Sequence, residues 1–397
     1  MAPSNPSDLP PLPLPPGITE AYLDCTVSCG LTYHILTAGT PGNPLLLFCH
    51  GYPELAFSWR HVLPTLAAEN YYCVAMDQRG YGRTTGWEPS PTHDSAHDAD
   101  LSQYTFTNLV RDLVCLVYKL GYPTVHCILG HDFGAVSSAM AALMRPDIFR
   151  STIQMSHPHH APPQPPFGPS AHPASQIDIQ ADLAKLTPPR KHYKFYNSAP
   201  AAATDWNNPP QGLYAYLRGY FHLKSAAWAP NKPHPLSAWS AEALAAMPEY
   251  YIMRAEHSMP QTVASLMEGE DASATESWLS RADLEVYCQE WSRTGFQGAL
   301  KWYRAQTAST AEAKKDMLLF AGRRIEVPCC FVSGRVDWGN YQQPRALEGY
   351  EDRAVVGEGC FRGVRMVEGA GHWVQQEQAG RVVEEVKEFL EGTRAYV

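Results

Sequence analysis

An aspartate framed by glycines is the first group in this sequence that could do covalent chemistry. It is the centre of Gly130-His131-Asp132-Phe133-Gly134, which follows the apolar run Val125–Leu129 and precedes the small residues of Gly134–Met144. Glycines two positions either side of one reactive residue suit a sharp strand-to-helix turn, which lifts that side chain above a sheet. A carboxylate there needs no deprotonation before it attacks, and carboxylate nucleophiles form covalent esters. Taken alone, Asp132 also fits a plain helix N-cap. Three other segments narrow the choice. His50-Gly51-Tyr52-Pro53 follows the run Leu45–Cys49. Such a turn can aim the Tyr52 amide at the same site, and with the Phe133 amide it would form an oxyanion hole; Tyr52–Pro53 is a candidate cis bond. Ser333-Gly334-Arg335-Val336-Asp337-Trp338-Gly339 follows Val327–Val332 and puts Asp337 where an acid can orient a histidine. Gly369-Ala370-Gly371-His372-Trp373 then puts His372 on a glycine-rich loop before a final helix, Ala379–Leu390. Each signal is weak alone. Four of them, each at the end of a strand, with nucleophile, acid and histidine in that order, form a strong one, because open α/β sheets carry their sites at strand C-terminal ends.

The elements that must position these groups alternate. Short apolar runs of strand length (Leu45–Cys49, Tyr72–Met76, Val125–Leu129, Thr152–Met155) are separated by helical patterns at Trp59–Glu69, Phe106–Leu120 and Gly134–Met144. Thr26–Leu36 reads as an earlier strand, and Gly121 as a helix C-cap. This alternation predicts a mostly parallel, doubly wound sheet. It breaks after His157. Residues 158–316 lack the strand rhythm, and Ala241–Met253 and Ala282–Thr294 read as helices, the second opened by a Ser280/Asp283 capping box. The organisation expected is a Pro-rich, disordered or extended N-terminus (1–17), a sheet domain (18–157 and 317–397) and a mostly helical insertion (158–316).

Composition excludes several classes. The 397 residues carry a formal charge of −9, and no Lys/Arg-rich run is present, which disfavours nucleic acid and anionic membranes as partners. No apolar stretch is long enough for a transmembrane helix, and the start has no secretory h-region. Ten cysteines without a CxxC pair, several inside apolar runs, read as buried free thiols in a reducing, cytoplasmic compartment. His157-Pro158-His159-His160 lacks spaced Cys or carboxylate partners and reads as a hinge, not a metal site. His131 reads as a packed elbow residue, and Asp77, in Asp77-Gln78-Arg79-Gly80-Tyr81-Gly82, as a loop-holding acid.

With these residues assembled, the chain resembles the epoxide hydrolase branch of the α/β-hydrolase superfamily. The match rests on His50–Glu54 with Ser58-Trp59-Arg60, Met76–Gly82, Gly130–Gly134, Asp337 and Gly371-His372-Trp373. Leu300-Lys301-Trp302-Tyr303-Arg304 in the insertion resembles the family segment that bears an epoxide-activating tyrosine. The resemblance implies an α/β-hydrolase fold with an inserted helical cap. It implies Asp132 as nucleophile, His372 and Asp337 as the water-activating pair, and Tyr303 and Tyr193 as oxygen-binding phenols. Tyr196 competes with Tyr193 one helical turn away. Tyr196, Trp338 and Trp373 are further pocket candidates. No cofactor or metal is implied, and the partner is a small hydrophobic molecule; oligomeric state is left open. Phe133 stands where the family usually has Trp, and Ala199–Tyr251 departs from its pattern. Three rival functions share much of this site: a haloalkane or haloacetate dehalogenase, an epoxide-opening cyclase and a non-catalytic ligand-binding relative. Phe133 cannot donate a hydrogen bond to a halide, and the intact acid–histidine set disfavours a mere binder.

Overall fold

In the computed structural model of the chain, the described residues are 6–87, 100–165, 178–307 and 311–393. The strands are β1 (Ile18–Cys25), β2 (Leu31–Ala38), β3 (Leu45–Cys49), β4 (Tyr72–Met76), β5 (Cys127–His131), β6 (Thr152–Met155), β7 (Arg190–His192), β8 (Ile252–Arg254), β9 (Cys329–Gly334) and β10 (Phe361–Val367). Eight form one sheet in the order β1-β2-β4-β3-β5-β6-β9-β10. The pairs β1/β2 and β2/β4 are antiparallel, and all others in this sheet are parallel. Every residue of β3, β4, β5, β6 and β9 is buried, because helices cover both faces. That two-sided burial is why these strands read as continuous apolar runs rather than alternating ones.

The sequence reading needs correction in five places. Thr26–Leu36 is not one strand. A helical turn, Thr26–Cys29, ends at Gly30 in the left-handed region (φ 79°), and the chain reverses from β1 into β2. Ala241–Met253 is not one helix. Ser240 caps a single turn, Ala241–Leu244, and past Pro248 the chain extends into β8, which pairs with β7. The sheet also gains β10, whose residues are mostly half-buried and gave no apolar run. Of the N-terminal stretch, residues 6–8 form a short helical turn and the rest, to residue 17, is irregular but tied down. Leu12 N–H donates to the Glu20 carboxylate (3.0 Å), Pro10 carbonyl accepts from Arg83 (2.9 Å), and Leu12 and Leu14 pack on the core. Residues 1–5 lie outside the described residues. The helical pattern at Trp59–Glu69 shrinks to Leu63–Ala67, while Phe106–Lys119 and Arg281–Thr294 are helices, the latter opened by the Ser280/Asp283 capping box.

Between β6 and β9 the chain forms a run of helices and the small β7/β8 pair. Their apolar residues share one cluster with the loops above the sheet. Tyr52, Leu55, Phe57, Tyr81 and Phe133 from the sheet side pack with Trp206, Tyr220, Trp291, Trp302 and Tyr303 from above. The site groups therefore lie where two apolar layers meet, shut off from bulk water.

Candidate active site

Asp132 sits between β5 and the helix Phe133–Met144 at φ 54°, ψ −115°. A non-glycine residue with positive φ is strained and persists only where its surroundings hold it there. The flanking glycines explain how. A Cβ on Gly130 would collide with the Gly134 carbonyl, and one on Gly134 with the Cys49 carbonyl. The helix can approach β3 and β5 this closely only without those side chains. Asp132 Oδ1 accepts the Tyr52 amide at 3.0 Å, and the Tyr52–Pro53 bond is cis. The Phe133 amide is the first of the next helix, where intrahelical bonding leaves N–H groups free to face an anion.

His372 Nδ1 lies 3.1 Å from Asp337 Oδ2, and its Nε2 faces Asp132 Oδ2 at 3.6 Å, an ion-pair distance rather than a hydrogen bond. The Asp337 carboxylate is held in turn by the Gly339 amide (2.6 Å). Burial opposes charge on all three groups. His372 and then the Lys224 ammonium nevertheless hold Asp132 well below the usual carboxylate range. Burial is the largest influence at His372 and pulls it down, but Asp337 and Asp132 together overcome it, and the imidazole is pushed up to about 9. The resting site is thus an ionised Asp132 beside a protonated His372.

His131 is a packed elbow residue. Its Nδ1 meets Glu54 at 2.6 Å and its Nε2 meets the His372 carbonyl at 2.7 Å. Glu54 also accepts from Gln375 (2.8 Å) and Gln376 (2.7 Å), so one buried carboxylate braces both the elbow and the histidine loop. Asp77 holds loops together by accepting from the Ala56 and Arg83 amides (2.8 and 2.9 Å) and pairing with His34 (2.7 Å). Arg79 pairs instead with Asp112.

Tyr303 comes from the helix Gln297–Thr307, and its ring meets those of Phe133 (4.6 Å), Tyr52 (5.3 Å) and Tyr193 (5.8 Å) edge-on. Its hydroxyl has no hydrogen-bond partner among the described residues. Tyr193 follows β7 and is fixed by its amide on the Tyr251 carbonyl (2.9 Å), with its hydroxyl on Gln342 (3.1 Å). Burial and the nearby Asp132 charge push both phenols well above the ordinary range, so both stay protonated as donors. Tyr196 is turned to other business: its hydroxyl donates to Asp205 (2.7 Å) and Lys191 lies over its ring. Trp373, a pocket candidate from sequence, is instead a fully buried wall. Its indole N–H donates to the Phe221 carbonyl (2.9 Å) and its ring packs against His372 (4.7 Å). Trp338 is buried against His234 (5.0 Å).

Sequence reasoning missed Lys224, a cation 4% exposed that caps the helix Leu213–Leu223. Its ammonium lies over the rings of Tyr251 (4.7 Å), Tyr220 (4.9 Å), Trp373 (5.7 Å) and Tyr193 (5.8 Å). No metal-holding cluster of His, Cys, Asp and Glu occurs among the described residues.

Comparison with known proteins bears on the fold and the family. Residues 44–174 match the family model for the alpha/beta hydrolase fold. Epoxide hydrolase A of Mycobacterium tuberculosis is 30% identical over 376 residues, covering 94% of this chain and 98% of that protein. Epoxide hydrolase 1 of Siraitia grosvenorii is 26% identical, covering 91% and 95%. Among solved structures, an epoxide hydrolase from an endophytic Streptomyces superposes with a TM-score of 0.74 at 27% identity, covering 96% of this chain and 97% of that one. The sheet and its elbow define an α/β hydrolase. Within that class, the chain belongs to the epoxide hydrolase family and is an epoxide-hydrolase-like enzyme. Among the described residues, no helix is long and apolar enough to cross a membrane.

Proposed function

We propose that the enzyme converts a hydrophobic epoxide to a vicinal diol through an ester on Asp132. One observation carries this reading: an ionised carboxylate on a strained turn has a backbone amide on one oxygen and His372, backed by Asp337, beside the other. Asp132 attacks an epoxide carbon and the C–O bond breaks. The departing oxygen, held by hydrogen bonds from Tyr303 and Tyr193, takes the proton of His372 and becomes the first product hydroxyl, which leaves His372 neutral. Neutral His372, oriented by Asp337, then takes a proton from water, which adds to the Asp132 carbonyl carbon. The Tyr52 and Phe133 amides stabilise the resulting oxyanion. The ester C–O bond breaks, its oxygen takes the proton of the hydroxyl that water added, the diol leaves, and Asp132 returns as a carboxylate beside a protonated His372. No metal or organic cofactor enters this scheme.

Residues 158–316 serve in this reading as the cap that excludes water and supplies both phenols. The aromatic walls formed by Phe133, Tyr193, Tyr251 and Tyr303 favour an apolar substrate. Ten free thiols, most of them buried, fit a cytoplasmic setting.

The phenols separate epoxide opening from dehalogenation, because only an epoxide leaves its oxygen on the product inside a dry pocket. A hydrogen bond to a charged group is worth about 1.5–3 kcal/mol. Tyr303→Phe should therefore slow single-turnover alkylation of Asp132 by on the order of tenfold to a hundredfold. The Tyr193/Tyr303 double Phe variant should be almost inert. Alkylation of that variant at the wild-type rate would reduce both tyrosines to packing residues.

A further inference from the structure

Lys224 stands out among the buried ionisable groups. Among the described residues no hydrogen bond or salt bridge holds its ammonium; aromatic faces cage it instead. It is also joined to the histidine loop. The Lys224 carbonyl accepts the His372 amide (2.8 Å), and Gly371 lies flat against the Lys224–Ala226 backbone, where a Cβ would approach the Lys224 carbonyl oxygen to 2.5 Å. Glu377 locks the same junction by accepting from the amides of Ala226 (2.8 Å), Gly371 (3.0 Å) and Trp373 (3.0 Å). The Lys224 backbone is therefore held against the His372 loop, while its ammonium lies 5.8 Å from the Tyr193 ring centre.

A charge accounting shows what such a cation does. In the resting site Asp132 and Asp337 are negative, and His372 and Lys224 positive. Alkylation moves the Asp132 charge onto the former epoxide oxygen, which takes a proton and becomes neutral. Asp132 is then an uncharged ester. His372 must be neutral to accept a proton from water, and it still faces Asp337, which favours its charged form. We propose that Lys224 is a positioning residue for the second half-reaction, whose caged ammonium expels the proton from His372 once Asp132 has been esterified. The proton leaving His372 supplies the new product hydroxyl. His372 regains one from the attacking water, and the cycle closes as epoxide plus water to diol.

The electrostatics agree. At His372 burial and Lys224 work against the proton, while Asp337 and Asp132 favour it. Esterification removes one of the two favourable charges and leaves both unfavourable influences. Lys224 itself is pulled down to about 8 by burial, against Asp132, Asp337 and Glu54, so the ammonium form predominates at neutral pH. The other groups near His372 are fixed. His131 and Glu54 brace its carbonyl side, and Glu377, which accepts from backbone amides and is pushed up to about 7 by burial, is common to wild type and every Lys224 variant.

The inference rests on the Asp132–His372 reading, and its test separates the two. Wild type, Lys224→Met and Lys224→Arg are mixed with styrene oxide and with cyclohexene oxide in a rapid-quench apparatus. Alkylation of Asp132 and decay of the ester are followed across pH. For Lys224→Met, the midpoint of the ester-hydrolysis profile should rise by about one unit. Below both midpoints hydrolysis is then about tenfold slower, while the high-pH plateau stays within about threefold of wild type. Alkylation changes less than hydrolysis. Lys224→Arg keeps the charge and should keep the wild-type midpoint. Lys224→Gln is read the same way as Lys224→Met if the methionine variant does not fold. An unmoved midpoint in the neutral variants, a uniform slowing at every pH, or an equal shift in Lys224→Arg overturns the role of Lys224 and leaves the ester scheme intact. Absence of any Asp132 adduct in wild type with either epoxide overturns the scheme and this inference together.

Discussion

Asp132→Ala should lose epoxide turnover by at least about a thousandfold, roughly 4 kcal/mol of barrier, while circular dichroism and the unfolding midpoint remain near wild type. The effect is large because no neighbouring group can replace the nucleophile. His131 has both ring nitrogens engaged, and Glu54 is spent on His131, Gln375 and Gln376. The fold should tolerate the change because alanine fits a turn whose close contacts are made by Gly130 and Gly134, and because a smaller side chain leaves the Cys49 approach untouched. Residual activity within about tenfold of wild type, roughly 1.4 kcal/mol, would remove Asp132 from the chemistry.

His372→Gln should produce the second large effect, with a different signature. Ester formation needs the Asp132 carboxylate, its amide partner and the phenols, and solvent can replace His372 as the proton source for the departing oxygen, so this variant still alkylates. Glutamine cannot take a proton from water, and hydrolysis of the ester slows by on the order of a thousandfold. The expected time course is one equivalent of epoxide consumed per active site, followed by arrest. Mass spectrometry of a digest should show the adduct on the peptide containing Asp132. An adduct elsewhere, or continued steady turnover, would contradict the two-step scheme.

The candidate site was more legible in the sequence than its surroundings. Asp132, Tyr52 and Asp337 each follow an apolar run, and their turns, like the loop that carries His372, are marked by glycines that close backbone approach requires. Tyr303 was found through its neighbours in Leu300–Arg304. The choice between Tyr193 and Tyr196 was not legible, since both lie on one helical turn. It depends on the β7/β8 pair, whose short strands carry no periodic signal, and on Asp205 drawing Tyr196 away. Lys224 was invisible for a related reason. In sequence it ends an aromatic helix and looks like an ordinary surface cation. Only the fold sets Trp373 and Tyr251 around it. The bracing by Glu54 was equally hidden, because its partners on the elbow and the last loops are remote in the chain. What Trp373 does beside His372 was hidden as well: its indole N–H is committed to the Phe221 carbonyl, and its ring packs against the imidazole.

The ester makes a prediction about where the water oxygen goes. In the proposed scheme water attacks the carbonyl carbon of esterified Asp132, and the bond to the product breaks with one of the original carboxylate oxygens. A single turnover, with enzyme in excess over epoxide in water labelled with heavy oxygen, should therefore put the label into the Asp132 side chain and leave the diol unlabelled. Digestion and mass spectrometry of the peptide containing Asp132 read this directly. Label in the diol, with the Asp132 peptide unshifted, would mean that water attacks the epoxide itself, and would contradict Asp132 as the nucleophile.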